Sequence, residues 1–116
     1  MTTLLVMYLA TSALLILLSV PLLLGRVPPN PLYGFRLSPT LDDPALWYPV
    51  NRHSARRMIA AGLSLAAAAV GLTFVPSITV DVYALGCLAV FLVVLVVGLV
   101  QSILYMNALQ RSRDAG

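Results

Sequence analysis

The chain has 116 residues, of which 60% are hydrophobic and only 9% are charged. Soluble domains carry about 25% charged residues, so this composition excludes an ordinary water-soluble globule and predicts a single domain embedded in lipid. The net charge of +3 is small, and no nucleic-acid partner or cofactor is expected. The single cysteine, Cys87, excludes a disulfide within the sequence and a thiolate metal site, so we expect a lipid-facing or packing residue.

Three segments are long and apolar enough to cross a membrane, which takes roughly 20 predominantly apolar residues. They cover about 3–24, 58–75 and 82–106. The second and third are joined by PSITVD, residues 76–81, which predicts a tight turn and an antiparallel hairpin. An open sheet cannot satisfy its backbone in lipid. The predicted fold class is therefore all-α, with three transmembrane helices in one membrane domain, 1–116.

The arginines predict the orientation of these helices. All seven basic residues are arginine; five lie in the loop 25–57, and Arg111 and Arg113 lie in the short tail 107–116. The N-terminus and the turn between the last two helices carry none, so the positive-inside rule places the loop and the C-terminus in the cytoplasm and the N-terminus outside. The first segment lacks a basic n-region and a small-residue cleavage site, which favours an uncleaved anchor.

Small and polar residues inside the spans indicate helix contacts. Gly62 with Ala66, and Ala67 with Gly71, are four apart in the second span and would allow close approach of another helix. We expect that partner to be the third span, with a second copy of the chain as the alternative. Gln101 in the third span is expected to make a helix–helix hydrogen bond or to face a polar cavity under the loop.

The loop 25–57 contains most of the chemically distinctive residues. Its PPNP run excludes a helix there, and its aromatic residues, among them Trp47, are expected at the membrane interface with their polar edges wet. Asp43 followed by Pro44 predicts a helix start. Because Pro49 follows so closely, we expect a short turn over 44–48 and a second helix beginning near Pro49 and running into the second span.

Arg52 and Arg56 lie four residues apart, where like charges repel by a few tenths of a kcal/mol unless an anion lies between them. Asp42, Asp43 or a lipid phosphate could supply that anion. Interfacial arginines that only determine topology are the alternative. For Arg36 the alternative is weaker, because aromatic and turn residues surround it.

The loop also carries a dense motif that resembles the SdpI family of bacterial membrane proteins. The order is R-x-P-P-N-x-x-Y-G-x-R, then Thr-Leu, an acidic-Pro turn, W-Y and N-R, and two membrane helices follow. The residues that carry the resemblance are Arg26, Pro28, Pro29, Asn30, Tyr33, Gly34, Phe35, Arg36, Thr40, Leu41, Asp43, Pro44, Trp47, Tyr48, Asn51 and Arg52. Pro49 departs from the family pattern, in which this stretch is a continuous helix.

The resemblance implies a multi-span protein of the bacterial inner membrane. The family's named member protects producing cells from a secreted toxic peptide and holds a repressor at the membrane. Many relatives carry a further N-terminal membrane half that this sequence lacks, which implies a short stand-alone member. We expect the loop 25–57 to form a cap that binds a toxic peptide, a membrane-protein partner or a lipid headgroup. Association with a second copy of the chain is a further alternative. The predicted binding residues are Asn30, Tyr33, Arg36, Asp43, Trp47, Asn51, Arg52 and Arg56.

Two other functions fit the same loop. A small membrane enzyme would clamp a lipid phosphate with Arg36, Arg52 and Arg56 and use Asp42, Asp43 or His53 for acid–base work. So few acid–base groups favour a protein that is not an enzyme, and one histidine makes a weak metal site. An accessory subunit of a larger membrane complex is the other alternative.

Overall fold

The computed structural model of the chain describes residues 1–30, 34 and 43–115. The described part is helical. Its long helices are, in chain order, α1 (Thr2–Leu23), α2 (Pro44–Gly71) and α3 (Val80–Ala115). A short 3-10 turn, Leu72–Phe74, follows α2. All three helices are long and apolar enough to cross a membrane, which confirms that part of the predicted fold.

The start of α2 differs from the prediction. Asp43 caps the helix, with Oδ1 accepting from the amide of Ala45 at 2.9 Å, and Pro44 is the first helical residue. The helix then continues through Pro49 without ending. A proline interrupts a helix by removing one amide donor; here the unpaired acceptor is the carbonyl of Ala45, an exposed residue in the first turn that water can reach. The predicted break at Pro49 is therefore wrong.

Helix α3 is much longer than a membrane crossing requires. Its 36 residues at 1.5 Å each make it about 54 Å long, against about 30 Å for the hydrocarbon layer. The amide of Val82 donates to Thr79 Oγ1 at 3.2 Å, which caps the start of the helix. The segment 107–115, expected to be a short tail, is the end of α3, so this helix is longer than the hydrocarbon layer by about four turns.

Helix α2 lies between the other two, and α1 and α3 pack far more extensively against it than against each other. Near the turn that joins α2 to α3, two tyrosines link the three helices. The hydroxyl of Tyr83 donates to the carbonyl of Ala69 at 2.6 Å, and that of Tyr8 donates to the carbonyl of Ala84 at 2.9 Å. Cys87 is buried in the same hydrophobic cluster as Tyr83 and is therefore a packing residue.

The small residues of α2 have a different neighbour from the one expected. A Cβ atom added to Gly62 would lie 2.9 Å from Ile16 Cγ1 and 3.3 Å from the carbonyl oxygen of Ser12, so Gly62 packs against α1 and not against α3. Ala67 and Gly71 are exposed, and nothing lies within 4 Å of a Cβ placed on Gly71. At Gly62, therefore, the close approach to α2 is made by α1.

Gln101 meets neither expectation within the described residues. Its side chain is exposed, and no hydrogen bond joins it to any residue that the structure describes. The neighbouring Ser102 is buried instead and donates to the carbonyl of Gly98 at 2.8 Å. One residue corresponds to about 100° around a helix, which separates the packed Ser102 from the exposed Gln101.

We predict that Gly62→Val lowers the stability of the bundle by about 1–3 kcal/mol, because the new side chain would collide with Ile16 and the backbone of α1. Gly71→Val is the matched control, since its site is open. The measurement is thermal unfolding in detergent, followed by circular dichroism. Equal shifts for both variants would contradict the packing described here.

Candidate functional site

The connection from α1 to α2 begins with an ordered helix end. The amide of Arg26 donates to the carbonyl of Pro21 at 3.0 Å, and the amide of Gly25 donates to that of Leu22 at 3.2 Å. This pair of bonds, with Gly25 at a φ of 70°, is a Schellman motif, which favours glycine because the left-handed conformation strains other residues. The motif directs the chain back toward α2.

Arg52 closes the same helix end from α2. Its Nε donates to the carbonyl of Leu23 at 3.3 Å, and a guanidinium nitrogen lies 3.3 Å from the Cβ position of Gly25. A cation at a helix C-terminus is favoured by the helix dipole. Of the predicted binding residues, Arg52 is therefore one whose side chain holds two helices together.

Trp47 is fully buried, with an exposed fraction of 0%. Its indole Nε1 donates to the carbonyl of Val27 at 2.7 Å, which links residues 20 apart in sequence. The expectation of an interfacial ring with a wet polar edge is wrong for Trp47, because the protein itself supplies the acceptor. The bond holds the segment that leaves α1 against the second turn of α2.

Asn51 lies one turn further along α2 and is 1% exposed. Its amide nitrogen donates to the carbonyl of Trp47 at 2.9 Å. Gly34 approaches the same place: a Cβ there would lie 2.7 Å from Asn51 Oδ1 and 3.3 Å from Trp47 Cη2. Gly34 has a φ of 104°, so both space and backbone conformation require glycine. We call Val27, Gly34, Trp47 and Asn51 the Trp47 cluster.

The structure thus brings Trp47 and Asn51 of the predicted set together, and adds Gly34 and Val27. Gly34 was visible in the sequence as the glycine of the Tyr-Gly pair, whereas no signal marked Val27, which contributes only its backbone carbonyl. Asn30 makes a local contact, with its amide nitrogen donating to the carbonyl of Pro28 at 2.9 Å. The predicted binding residues Tyr33 and Arg36 lie outside the described residues.

Asp43 has a partner that the sequence analysis did not expect. Besides capping α2, it accepts a hydrogen bond from Nη1 of Arg113, at the far end of α3. The Arg113 hydrogen bond and the amide of Ala45 lower the pKa of the Asp43 carboxyl below its ordinary value of 3.8. Asp43 is therefore not the anion between Arg52 and Arg56, and Arg113 is more than a topology signal.

Arg56 is exposed, and no ion pair joins it to a residue that the structure describes. It lies five residues after Asn51, which places it about 140° further around α2. Arg56 therefore faces away from the Trp47 cluster.

His53 faces α3. Its ring stacks on Tyr105 with centroids 4.5 Å apart and planes 6° from parallel, and its Nδ1 lies 3.5 Å from Ser102 Oγ. Asp43, which caps the start of α2, precedes His53 by ten residues, or about 15 Å along the helix axis. These two groups are therefore too far apart to act as one acid–base pair. Among the described residues no three His, Cys, Asp or Glu side chains are grouped to hold a metal.

These features define a multi-pass membrane protein with a polar, partly buried connection between its first two helices. The model of the SdpI/YfhL protein family matches residues 26–105, from the end of α1 through most of α3. The chain belongs to the SdpI/YfhL family, as the motif in the loop predicted. Comparison with curated proteins and with solved structures found no match.

The Trp47 cluster predicts a fluorescence change. Trp47 is the only tryptophan, so its emission reports on this cluster alone. We predict that Gly34→Ala shifts the emission to longer wavelength and increases quenching by acrylamide, because the new Cβ would displace Asn51 or Trp47. Gly71→Ala, at an open site, should leave both unchanged. Identical spectra for the two variants would contradict the tight contact at Gly34.

The Asp43–Arg113 pair predicts a pH dependence. Because the pKa of Asp43 is lowered in the folded protein, its ionised form stabilises the fold above the ordinary carboxyl pKa, and this contribution is lost as the pH falls below it. We expect Asp43→Asn, which keeps a capping side chain, to lower the melting temperature slightly near neutral pH, and Asp43→Ala to lower it more. Melting curves between neutral and acidic pH provide the measurement. The melting temperatures of the wild type and Asp43→Asn should become equal in acid. A difference between them that stays constant with pH would rule out this linkage.

Proposed function

We propose that the chain is an immunity-like binding protein of the bacterial inner membrane, whose cap, residues 25–57, binds a secreted toxic peptide or a membrane-protein partner. In this proposal the cap and the C-terminus face the cytoplasm and the N-terminus faces outward. The arginine distribution supports the orientation. Membership of the SdpI/YfhL family supports the immunity-like role.

The observation that carries the proposal is the burial of Trp47 together with its hydrogen bond to Val27. A linker that only joined two helices would need neither a buried indole nor a buried amide beneath a glycine. Burying polar groups is favourable only where their hydrogen bonds are satisfied in a defined geometry. Such an arrangement supports a fixed surface, which is what recognition of a partner requires.

The positions of the acid–base groups favour binding over catalysis. Asp43 is engaged by Arg113 and by the start of α2, and His53 faces α3 well away from it. General acid–base catalysis requires a group within hydrogen-bond reach of the reacting atom, and here the candidates act at separate places. The proposal therefore assigns no reaction to the cap.

A protection assay tests this function. Sensitive bacteria that express the wild-type chain are challenged with a panel of secreted membrane-active peptides, and the inhibitory concentration is compared with that of an empty vector. We expect protection against at least one peptide, loss of that protection with Gly34→Ala, and its retention with Gly71→Ala at equal abundance in the membrane.

Protection that survives Gly34→Ala would remove the cap from the mechanism. No protection against any peptide would overturn the immunity role. Migration in a large complex on native electrophoresis, together with that negative result, would favour the accessory-subunit alternative.

A further inference from the structure

We propose that the surface formed where α2 and α3 pack together binds the phosphate of an anionic lipid headgroup, with Arg57 as its charged ligand. We give the name Arg57 surface to His53, Arg57, Gln101 and Tyr105. This surface is separate from the Trp47 cluster, since Arg57 lies six residues after Asn51 and so about 120° away around α2. The inference does not rest on the proposed immunity function.

Arg57 packs closely against α3. A Cβ on Gly98 of α3 would lie 2.9 Å from Cβ of Arg57 and 3.7 Å from its Cγ. The aliphatic stem of Arg57 therefore lies directly against the backbone of α3, while the residue as a whole is exposed. Such a stem loses little further freedom when the guanidinium binds an anion.

The depth of Arg57 in the bilayer follows from its position along α3. Gly98 follows the first residue of α3, Val80, by 18 positions, which is about 27 Å along the axis. The hydrocarbon layer is about 30 Å thick, so placing Val80 at one boundary puts Arg57 close to the other. Arginine stems at such a depth extend toward the interface, which brings the guanidinium to the level of the lipid phosphates.

Tyr105 and Gln101 of α3 are exposed side chains that can donate hydrogen bonds. His53 stacks on Tyr105 and Ser102 Oγ lies 3.5 Å from its Nδ1, so the tyrosine ring has a fixed support. Tyr105 is 37% exposed, and Gln101 is exposed one turn before it. A guanidinium, a phenol and an amide are each able to donate to a phosphate oxygen.

The charge of Arg57 is not neutralised by any carboxylate among the described residues, where the one ion pair is that of Arg113 with Asp43. A cation at a lipid boundary without such a partner among these residues favours an anionic ligand.

The residues of α3 that adjoin the Arg57 surface favour a lipid over a free phosphate ion. Val97 and Val93, one and two turns before Gln101, are 49% and 62% exposed. They continue the same side of α3 into the hydrocarbon layer, where they offer an apolar surface to an acyl chain. The assigned ligand is therefore a phospholipid whose phosphate reaches Arg57.

The test is a titration of the detergent-purified protein with phosphatidylglycerol, followed by native mass spectrometry. We expect Arg57→Gln to weaken binding about tenfold, because a charge-assisted hydrogen bond is lost. Arg111→Gln, which removes an equal charge from an exposed site further along α3, should change it little. Tyr105→Phe should weaken binding to a smaller extent.

Soluble glycerol phosphate forms the second arm, and we expect it not to compete at concentrations where the lipid binds. Competition at such concentrations would show a free-phosphate site and overturn the lipid assignment. Equal losses in the Arg57 and Arg111 variants would show diffuse attraction only, and no loss in Arg57→Gln would overturn the site. If Arg57→Gln does not fold, lipid binding is measured for Tyr105→Phe and Gln101→Leu instead, and no loss in either variant would overturn the site. Gly34→Ala should bind the lipid normally, which separates this result from a failure of the proposed function.

Discussion

A buried indole must find an acceptor inside the protein, and the hydrogen bond from Trp47 to the carbonyl of Val27 meets that requirement. The consequences extend in both directions along the chain. The carbonyl that it uses lies just beyond the Schellman end of α1, so the exit path of the first helix is tied to the second turn of α2. Asn51 donates to the carbonyl of the same tryptophan, and only a glycine can approach that amide at position 34.

Helix α2 connects the other parts of the molecule, because its different faces pack against different helices. One face admits α1 closely at Gly62, and another receives the backbone of α3 at Gly98 beside Arg57. Since both neighbours pack on α2 and little on each other, the relative position of α1 and α3 depends on how α2 is rotated. Two contacts restrain that rotation at the loop end of α2. They are the hydrogen bond from Arg52 to the end of α1 and the ion pair of Asp43 with Arg113.

The sequence was sufficient for those features that depend on composition or on local pattern. Apolar length predicted three helices, and the ordered motif of the loop predicted the family. It was insufficient where two distant segments meet. Asp43 and Arg113 are 70 residues apart, and no local pattern indicates that α3 is long enough to reach the cap of α2. The prediction at Pro49 failed for the opposite reason. The local rule that proline ends a helix was applied where the carbonyl left without a donor belongs to Ala45, an exposed residue in the first turn of α2, so the loss of that hydrogen bond costs little.

The arginines show why a topology rule alone does not describe this protein. The positive-inside rule counts them equally, but the structure separates them by what they touch. Arg52 and Arg113 make contacts between helices, whereas Arg56 and Arg57 are exposed and form no ion pair with any described residue. A charge that already has a protein partner gains little from a lipid, and a charge without one gains more. The anionic lipid that we propose at Arg57 therefore matches a charge that the described residues leave unpaired, whereas Arg52 and Arg113 stabilise the fold.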